Sequence, residues 1–264
     1  MSQDSAKGAM RIWYQSFIAP EEQRPYFERL QARLDLLKRP GTAVEIHGVT
    51  PPDRHFHALT EFRCADQCIR NALRAQSEGY DAFLIGHFQE PGLREIRGAL
   101  EIPVIGLGEA CMLWACSMGL KFGLVTINPA FLAWHDLQVA GHGLERRCAG
   151  VRAITADVGR FMAAFTDPAE RDAMRADFVA QVQPLVAAGA DVLIPAGGLP
   201  MLLLAELQPF LVDGAAVMEG LGVALKTAEM AVDMHRLTGV AAGRSGFYAR
   251  ASDGAIADFL APRT

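Results

Sequence analysis

The sequence predicts an α/β fold with mostly parallel sheet, and three observations lead there. Short β-rich runs alternate with longer helical patterns along the 264 residues. Several of those runs are apolar almost throughout, as strands covered on both faces by helices are. A weak internal repeat at an offset of about 110 residues pairs strand–helix units from the two ends of the chain.

The elements read in order as follows. Arg11–Ser16 is the first strand and Arg24–Lys38 the first helix. Ala43–Val49 is the second strand, and Glu61–Ser77 a helix with Gly79 just past its end, where a helix terminus favours glycine. Strands follow at Ala82–Gly86, Val104–Gly106, Gly123–Thr126 and Val151–Thr155. Asp167-Pro168 pairs a capping side chain with proline at the first helical position, opening Pro168–Ala187. Pro184 is expected to kink or loosen the far end of that helix; Gly189 lies just beyond it. Val192–Pro195 and Val217–Met218 are the last strands, and Leu221–Leu237 a further helix. In such sheets chemistry gathers beyond the carboxyl ends of the strands.

The repeat sharpens this expectation. Gly79-Tyr80-Asp81-Ala82-Phe83-Leu84-Ile85 resembles Gly189-Ala190-Asp191-Val192-Leu193-Ile194. The same offset carries Ser16 onto Thr126 and His87 onto Gly197, and Gly106-Leu107-Gly108 has a looser echo in Gly220-Leu221-Gly222. Two like halves would then face each other, with matched strand ends bordering one cleft.

Composition narrows the class. A hydrophobic fraction of 51% with 21% charged residues describes a globular chain able to bury a sizeable core. With 25 Lys+Arg against 30 Asp+Glu, the net charge of −5 gives no electrostatic footprint for nucleic acid or an anionic membrane. No apolar stretch reaches the roughly 20 residues of a membrane-spanning helix. Met1–Met10 lacks the apolar core of a secretion signal, so a cytoplasmic location is expected. The five cysteines Cys64, Cys68, Cys111, Cys116 and Cys148 are odd in number and too few for a disulfide scaffold, so reduced thiols are expected.

Several motifs carry little chemistry. Gly106-Leu107-Gly108-Glu109-Ala110-Cys111 follows a strand and opens a helix, but Cys111 stands where a dinucleotide fingerprint needs its third glycine. A turn with a buried or cleft-facing Glu109 is the better reading. His55 and His57 lack converging ligands and read as solvated loop residues. Cys64 and Cys68 pack one helix face at i, i+4 spacing, Cys111 and Cys116 belong to another buried helix, and Cys148 lies in a turn-like region. No metal site is expected.

His87 stands apart. It follows the apolar strand Ala82–Gly86 and precedes the helix entrance Phe88-Gln89-Glu90-Pro91-Gly92, so it projects into the cleft mouth. Its ordinary pKa suits proton transfer near neutrality. In Pro195-Ala196-Gly197-Gly198 the glycines let backbone N–H groups approach a bound carboxylate or developing enolate oxygen.

Taken together, these segments resemble the aspartate/glutamate/hydantoin racemase superfamily, in its hydantoin racemase-like branch. The resemblance rests on Arg11-Ile12-Trp13-Tyr14-Gln15-Ser16-Phe17, Phe88-Gln89-Glu90-Pro91-Gly92-Leu93 and Pro103-Val104-Ile105-Gly106-Leu107-Gly108-Glu109-Ala110. Lys121-Phe122-Gly123-Leu124-Val125-Thr126 and Glu219-Gly220-Leu221-Gly222-Val223-Ala224-Leu225-Lys226 extend it. It implies two pseudo-symmetric Rossmann-like halves, 1–109 completed by 220–264 and 110–219, and no metal or organic cofactor. Family racemases set one cysteine in each half, on opposite faces of the substrate. Both matching positions depart here, to His87 and Gly197.

The resulting expectation is an enzyme acting on a small carbonyl compound, a hydantoin-like cyclic amide, ureide or imide, with His87 as general base or acid. Ser16 and Thr126 would hydrogen-bond the substrate, and Gly197 and Gly198 would meet the oxyanion. Tyr14, Gln15 and Phe88 would shape the pocket, and Glu109 would orient His87 or touch the substrate. The isomerase reading leads, with ring-opening hydrolysis or decarboxylation as alternatives and a non-catalytic ligand-binding descendant as a third. A homo-oligomer is the expected assembly.

Overall fold

In the computed structural model, residues 9–19, 21 and 23–262 are described. The reading of the amino terminus as lacking a leader therefore lies, but for Ala9 and Met10, outside the described residues. The first half runs β1 (Met10–Gln15), α1 (Arg24–Leu37), β2 (Thr42–His47), α2 (Ala58–Ser77), β3 (Ala82–Ile85), α3 (Leu93–Ala99) and β4 (Val104–Gly106). The second begins with α4 (Leu107–Met118), β5 (Phe122–Thr126), α5 (Leu132–Gly141), β6 (Cys148–Ala153), α6 (Val158–Thr166) and α7 (Pro168–Ala187). It continues through β7 (Val192–Ala196), α8 (Gly198–Leu204), β8 (Leu211–Val212) and β9 (Ala215–Val217). Helices α9 (Gly220–Thr238) and α10 (Asp253–Leu260) close the chain.

The predicted repeat is visible as topology. One sheet is ordered β2-β1-β3-β4 and the other β6-β5-β7-β9-β8. Without β8, both place the second strand first, then the first, third and fourth. All pairings are parallel except β8 with β9. β3 and β7 occupy equivalent central places, so the residues after them, His87 and Gly197, emerge at matched points. Both strands are buried at every position, which is why they read as unbroken apolar runs.

The carboxy-terminal segment packs back on the first half. Leu221, Ala224, Leu225, Ala228 and Val232 bury one face of α9, which contacts β1, β3 and β4. Each buried leucine there contributes about 2 kcal/mol through removal of apolar surface from water. Arg244 donates to the carbonyls of Arg97 and Leu100, and Arg70 to those of Phe259 and Leu260. Among the described residues no helix is long and apolar enough to cross a membrane.

Some boundaries differ from expectation. Cys148 opens β6 rather than sitting in a turn, because a register shift at Phe122/Gly123 lets the strand begin earlier than Val151. The antiparallel β8 was not expected; Asp213-Gly214, both at positive φ, form the two-residue turn that joins it to β9. Pro184 does not end α7: it faces solvent one turn before Ala187, where the helix is already finishing. Asp167 caps α7 as expected, accepting from Ala169 N at 2.8 Å.

Candidate active site

The site begins where β3 ends. Gly86 N donates to Gln15 O, and a Cβ at Gly86 would overlap the Tyr14 ring, so only glycine fits beneath the turn that delivers His87. The His87 ring stacks on Phe17 from the loop after β1, with centroids 4.3 Å apart and planes 19° from parallel. Its Nε2 lies 2.9 Å from Glu61 Oε1 and 3.1 Å from Oε2, so Nε2–H donates to both oxygens. Nδ1 has no hydrogen-bond partner among the described residues, and the ring lines the cleft cavity.

Glu61 is placed by α2. His57 caps that helix by accepting from Leu59 N, and Glu61 falls in its first turn, in phase with the buried Cys64, Cys68, Ala72 and Ala75. The carboxylate is fully buried. Burial by itself raises its pKa, but the facing His87 outweighs this and holds Glu61 below its ordinary value. Conversely burial lowers the His87 pKa, and Glu61, with Asp53 and Glu90 behind it, more than reverses the effect. The pair thus favours imidazolium against carboxylate.

Asp53 completes the cluster. Its Oδ1 accepts from His55 N at 3.2 Å and Phe56 N at 3.3 Å, while Oδ2 is buried with no hydrogen-bond partner among the described residues. Burial first, and then neighbouring Glu61, push its pKa up to about 6. Donor atoms of Asp53, Glu61 and His87 all lie within 4.8 Å of one another. That spacing would suit a divalent cation as well as the hydrogen bond between Nε2 and the Glu61 carboxylate.

The cleft between the halves holds a cavity of about 40 Å³, room for a few waters. Ser16, Phe17, Tyr26, Asp53, His87 and Gln89 form its first-half wall. Ile127, Val158 and Ala196–Pro200 form the second-half wall, apolar side chains and backbone with no titratable group. Burial pushes the Tyr26 phenol up to about 12, leaving it protonated at neutral pH. The two walls approach so closely that a Cβ on Gly198 would lie 3.1 Å from Gly86 O.

Of the residues expected at the site, His87, Ser16, Gly197 and Gly198 line this cavity. Gly197 N–H is committed to Pro195 O at 2.9 Å, while Gly198, the first residue of α8, is among the first-turn amides without an intrahelical partner. The others are elsewhere. The Gln15 amide ties the end of β1 to the carbonyls of Ser16, His47 and Gly48. Tyr14 lies under the Gly86 turn, and Phe88 packs edge-on to His135. Thr126 is fully buried, its hydroxyl 3.0 Å from His135 Nε2. Glu109 does not orient His87: Arg97 holds it in a salt bridge across α3 and α4, and Glu61 takes the role assigned to it.

Sequence reasoning missed Glu61, Asp53 and His135. The signal for Glu61 was available, a carboxylate in register with the apolar stripe of α2. His135 signals less. It sits on α5 with Nδ1–H donating to Gln138 Oε1 at 3.0 Å, and Gln138 Nε2 in turn donates to Phe88 O and Glu90 Oε2. Glu90 Oε1 accepts from Glu109 N, so the Phe88–Gly92 segment is fastened to α4 and α5. No cysteine lines the cavity; Cys64, Cys68 and Cys111 are buried in helices, as expected from their spacing.

Comparison with known proteins gives a consistent picture. The chain is 30% identical to the hydantoin racemase of Rhizobium meliloti over 158 residues, 59% of this chain and 62% of that protein. It is 29% identical to the hydantoin racemase of Pseudomonas sp. (strain NS671) over 84 residues, 32% and 34% of the two chains. These matches span less than two thirds of the length of either curated relative. The allantoin racemase from Klebsiella pneumoniae shares the fold, with a TM-score of 0.72 at 23% identity over 93% of this chain and 95% of that one. The allantoin racemase from Pseudomonas fluorescens gives 0.70 at 22% identity over 92% and 97%. Residues 26–228, the greater part of the sequence, match the Asp/Glu/Hydantoin racemase family, and to that family this chain belongs.

Proposed function

We propose that this protein is an acid/base enzyme acting, without two opposed thiols, on a small carbonyl compound of the hydantoin or ureide type, with His87 as its proton-transferring group. The observation that carries this reading is the Glu61–His87 pair at the cavity wall. A fully buried carboxylate grips one imidazole nitrogen and leaves the other toward the space where a substrate would sit. Glu61 thereby fixes the ring orientation and stabilises its charge as a proton moves. The substrate class is taken from the relatives, whose names point to five-membered cyclic amides and ureides.

Binding follows from the same wall. Ser16 Oγ accepts from Ile18 N at 3.3 Å and is hydrogen-bonded to the Tyr26 phenol, so the two hydroxyls together would meet a substrate oxygen. Gly198 N–H supplies a backbone donor from the opposite side. The enolate formed by loss of a proton next to a carbonyl would be held between these donors and the His87 ring. Purified protein incubated in D2O with hydantoins, allantoin-like ureides, cyclic imides and arylmalonates tests the reading through deuterium uptake at carbon. Ring opening or release of carbon dioxide in the same incubations would redirect it to hydrolysis or decarboxylation. His87→Ala is expected to lower turnover about a hundredfold, the scale of a lost general acid or base. Unchanged turnover would remove His87 from the chemistry.

A further inference from the structure

The geometry points to Asp53 as the general base of this site, with His87 as the acid that meets the developing oxygen, both working on one face of the substrate. This rests on the functional reading above and goes beyond it by dividing the two roles and fixing the stereochemistry.

Two observations assign the base. Asp53 is 3% exposed, lines the cavity, is anchored through Oδ1 by the His55 and Phe56 amides, and has a buried Oδ2 without a hydrogen-bond partner among the described residues, in a group whose donor atoms lie within 4.8 Å of those of Glu61 and His87. A carboxylate oxygen out of water and without a donor is a poor resting arrangement unless a ligand group or a proton comes to it. The neighbouring carboxylates are engaged elsewhere: Glu61 holds His87 Nε2–H, and Glu90 accepts from Glu109 N and Gln138 Nε2.

The environment of His87 favours the acid role. Glu61, Asp53 and Glu90 all favour its charged form, with His135 the opposing neighbour. In that charged form the imidazole has no lone pair with which to take a proton from carbon, and a second group would do so. Asp53, facing Glu61 and His87 and raised by burial to a pKa of about 6, is ionised at neutral pH yet more basic than an ordinary carboxylate.

Asp53 Oδ2 takes the proton on the carbon next to the carbonyl. The C–H electron pair becomes the C=C bond of an enol, the carbonyl π pair moves to oxygen, and His87 Nδ1–H gives its proton to that oxygen. Reversal returns a proton from Asp53 to the same face of the carbon. Among the described residues the second-half wall carries no titratable side chain to deliver one from the other face. Exchange with solvent therefore proceeds with retention of configuration.

The test is an enantiopure 5-substituted hydantoin in D2O, followed by mass spectrometry for deuterium and by chiral chromatography for configuration, against a protein-free control. Wild-type protein is expected to introduce deuterium while the enantiomeric ratio stays fixed. Asp53→Asn, which preserves size and the Oδ1 anchors, is expected to exchange about a hundredfold more slowly, and formate is expected to restore part of the rate to Asp53→Ala. Loss of enantiomeric purity in step with deuterium uptake would overturn the proposal, as would exchange by Asp53→Asn at the wild-type rate. So would a wild-type rate abolished by a chelator and restored by a divalent metal. If Asp53→Asn does not fold, loss of enantiomeric purity with the wild type still overturns the proposal, and the response of Asp53→Ala to formate separates the aspartate from His87. Absence of wild-type exchange on every substrate would instead defeat the underlying functional reading, and this inference with it.

Discussion

Glu61 Oε1 lies 2.9 Å from His87 Nε2 across 26 residues of sequence, joining the first turn of α2 to the loop after β3. The contact makes the charge of the imidazole depend on a residue that touches no substrate. Glu61→Gln keeps a hydrogen-bond acceptor but removes the negative charge that raises the His87 pKa. Imidazolium exists below that pKa, so lowering it withdraws the acid form at neutral pH. The alkaline limb of the rate profile is expected to move to lower pH, with kcat falling more than tenfold and KM nearly unchanged. A profile that keeps its alkaline limb in place would separate Glu61 from the chemistry; a structural defect alone would not shift it.

What the sequence revealed and what it hid follow from the range of the interactions. The alternation of buried apolar runs with amphipathic segments is local, so β3 and β7 are legible, and His87 and Gly197 are found by position just past them. Glu61 and Asp53 act through contacts that the chain makes only after β2 and β3 pair on opposite sides of β1. A loop aspartate after two prolines carries no periodic mark, and Asp53 acquires its character from burial that only the tertiary fold provides. Thr126 illustrates the converse error. The repeat matched it correctly to Ser16 as a strand end, but α5 covers it with His135, so equivalence of backbone position did not carry equivalence of exposure.

Thiol chemistry offers a second test. Burial pushes the Cys64 thiol up to about 12 and raises Cys68, Cys111 and Cys148 above the ordinary range, so these sulfurs are weak nucleophiles. None lines the cavity. Iodoacetamide at neutral pH is expected to leave activity essentially intact, with slow, incomplete modification by mass spectrometry. Complete inactivation that tracks alkylation of one cysteine, while circular dichroism stays native, would contradict an imidazole–carboxylate site.

His135 gives a prediction about stability that is independent of catalysis. Its ring is fully buried between Thr126 and Gln138. Burial lowers its pKa to about 4, with the nearby His87 charge acting in the same direction and Gln138 opposing. In the unfolded chain the same imidazole titrates near 6.5. Between those values the unfolded state binds a proton that the folded state refuses, so stability declines as pH falls from about 6.5 to about 4 and this contribution then levels off. The difference corresponds to about 3 kcal/mol. Asp53 has the opposite sign: its raised pKa adds stability as pH falls through about 6, and the comparison must cancel it. Urea unfolding of wild type and His135→Gln at pH 7.5 and pH 4.5 does so, because the aspartate is common to both. Wild type is expected to lose about 2–3 kcal/mol more than the variant between the two conditions. Equal losses would mean that the ring is protonated in the folded state, and that the hydrogen bonds to Thr126 and Gln138 are arranged with both ring nitrogens donating.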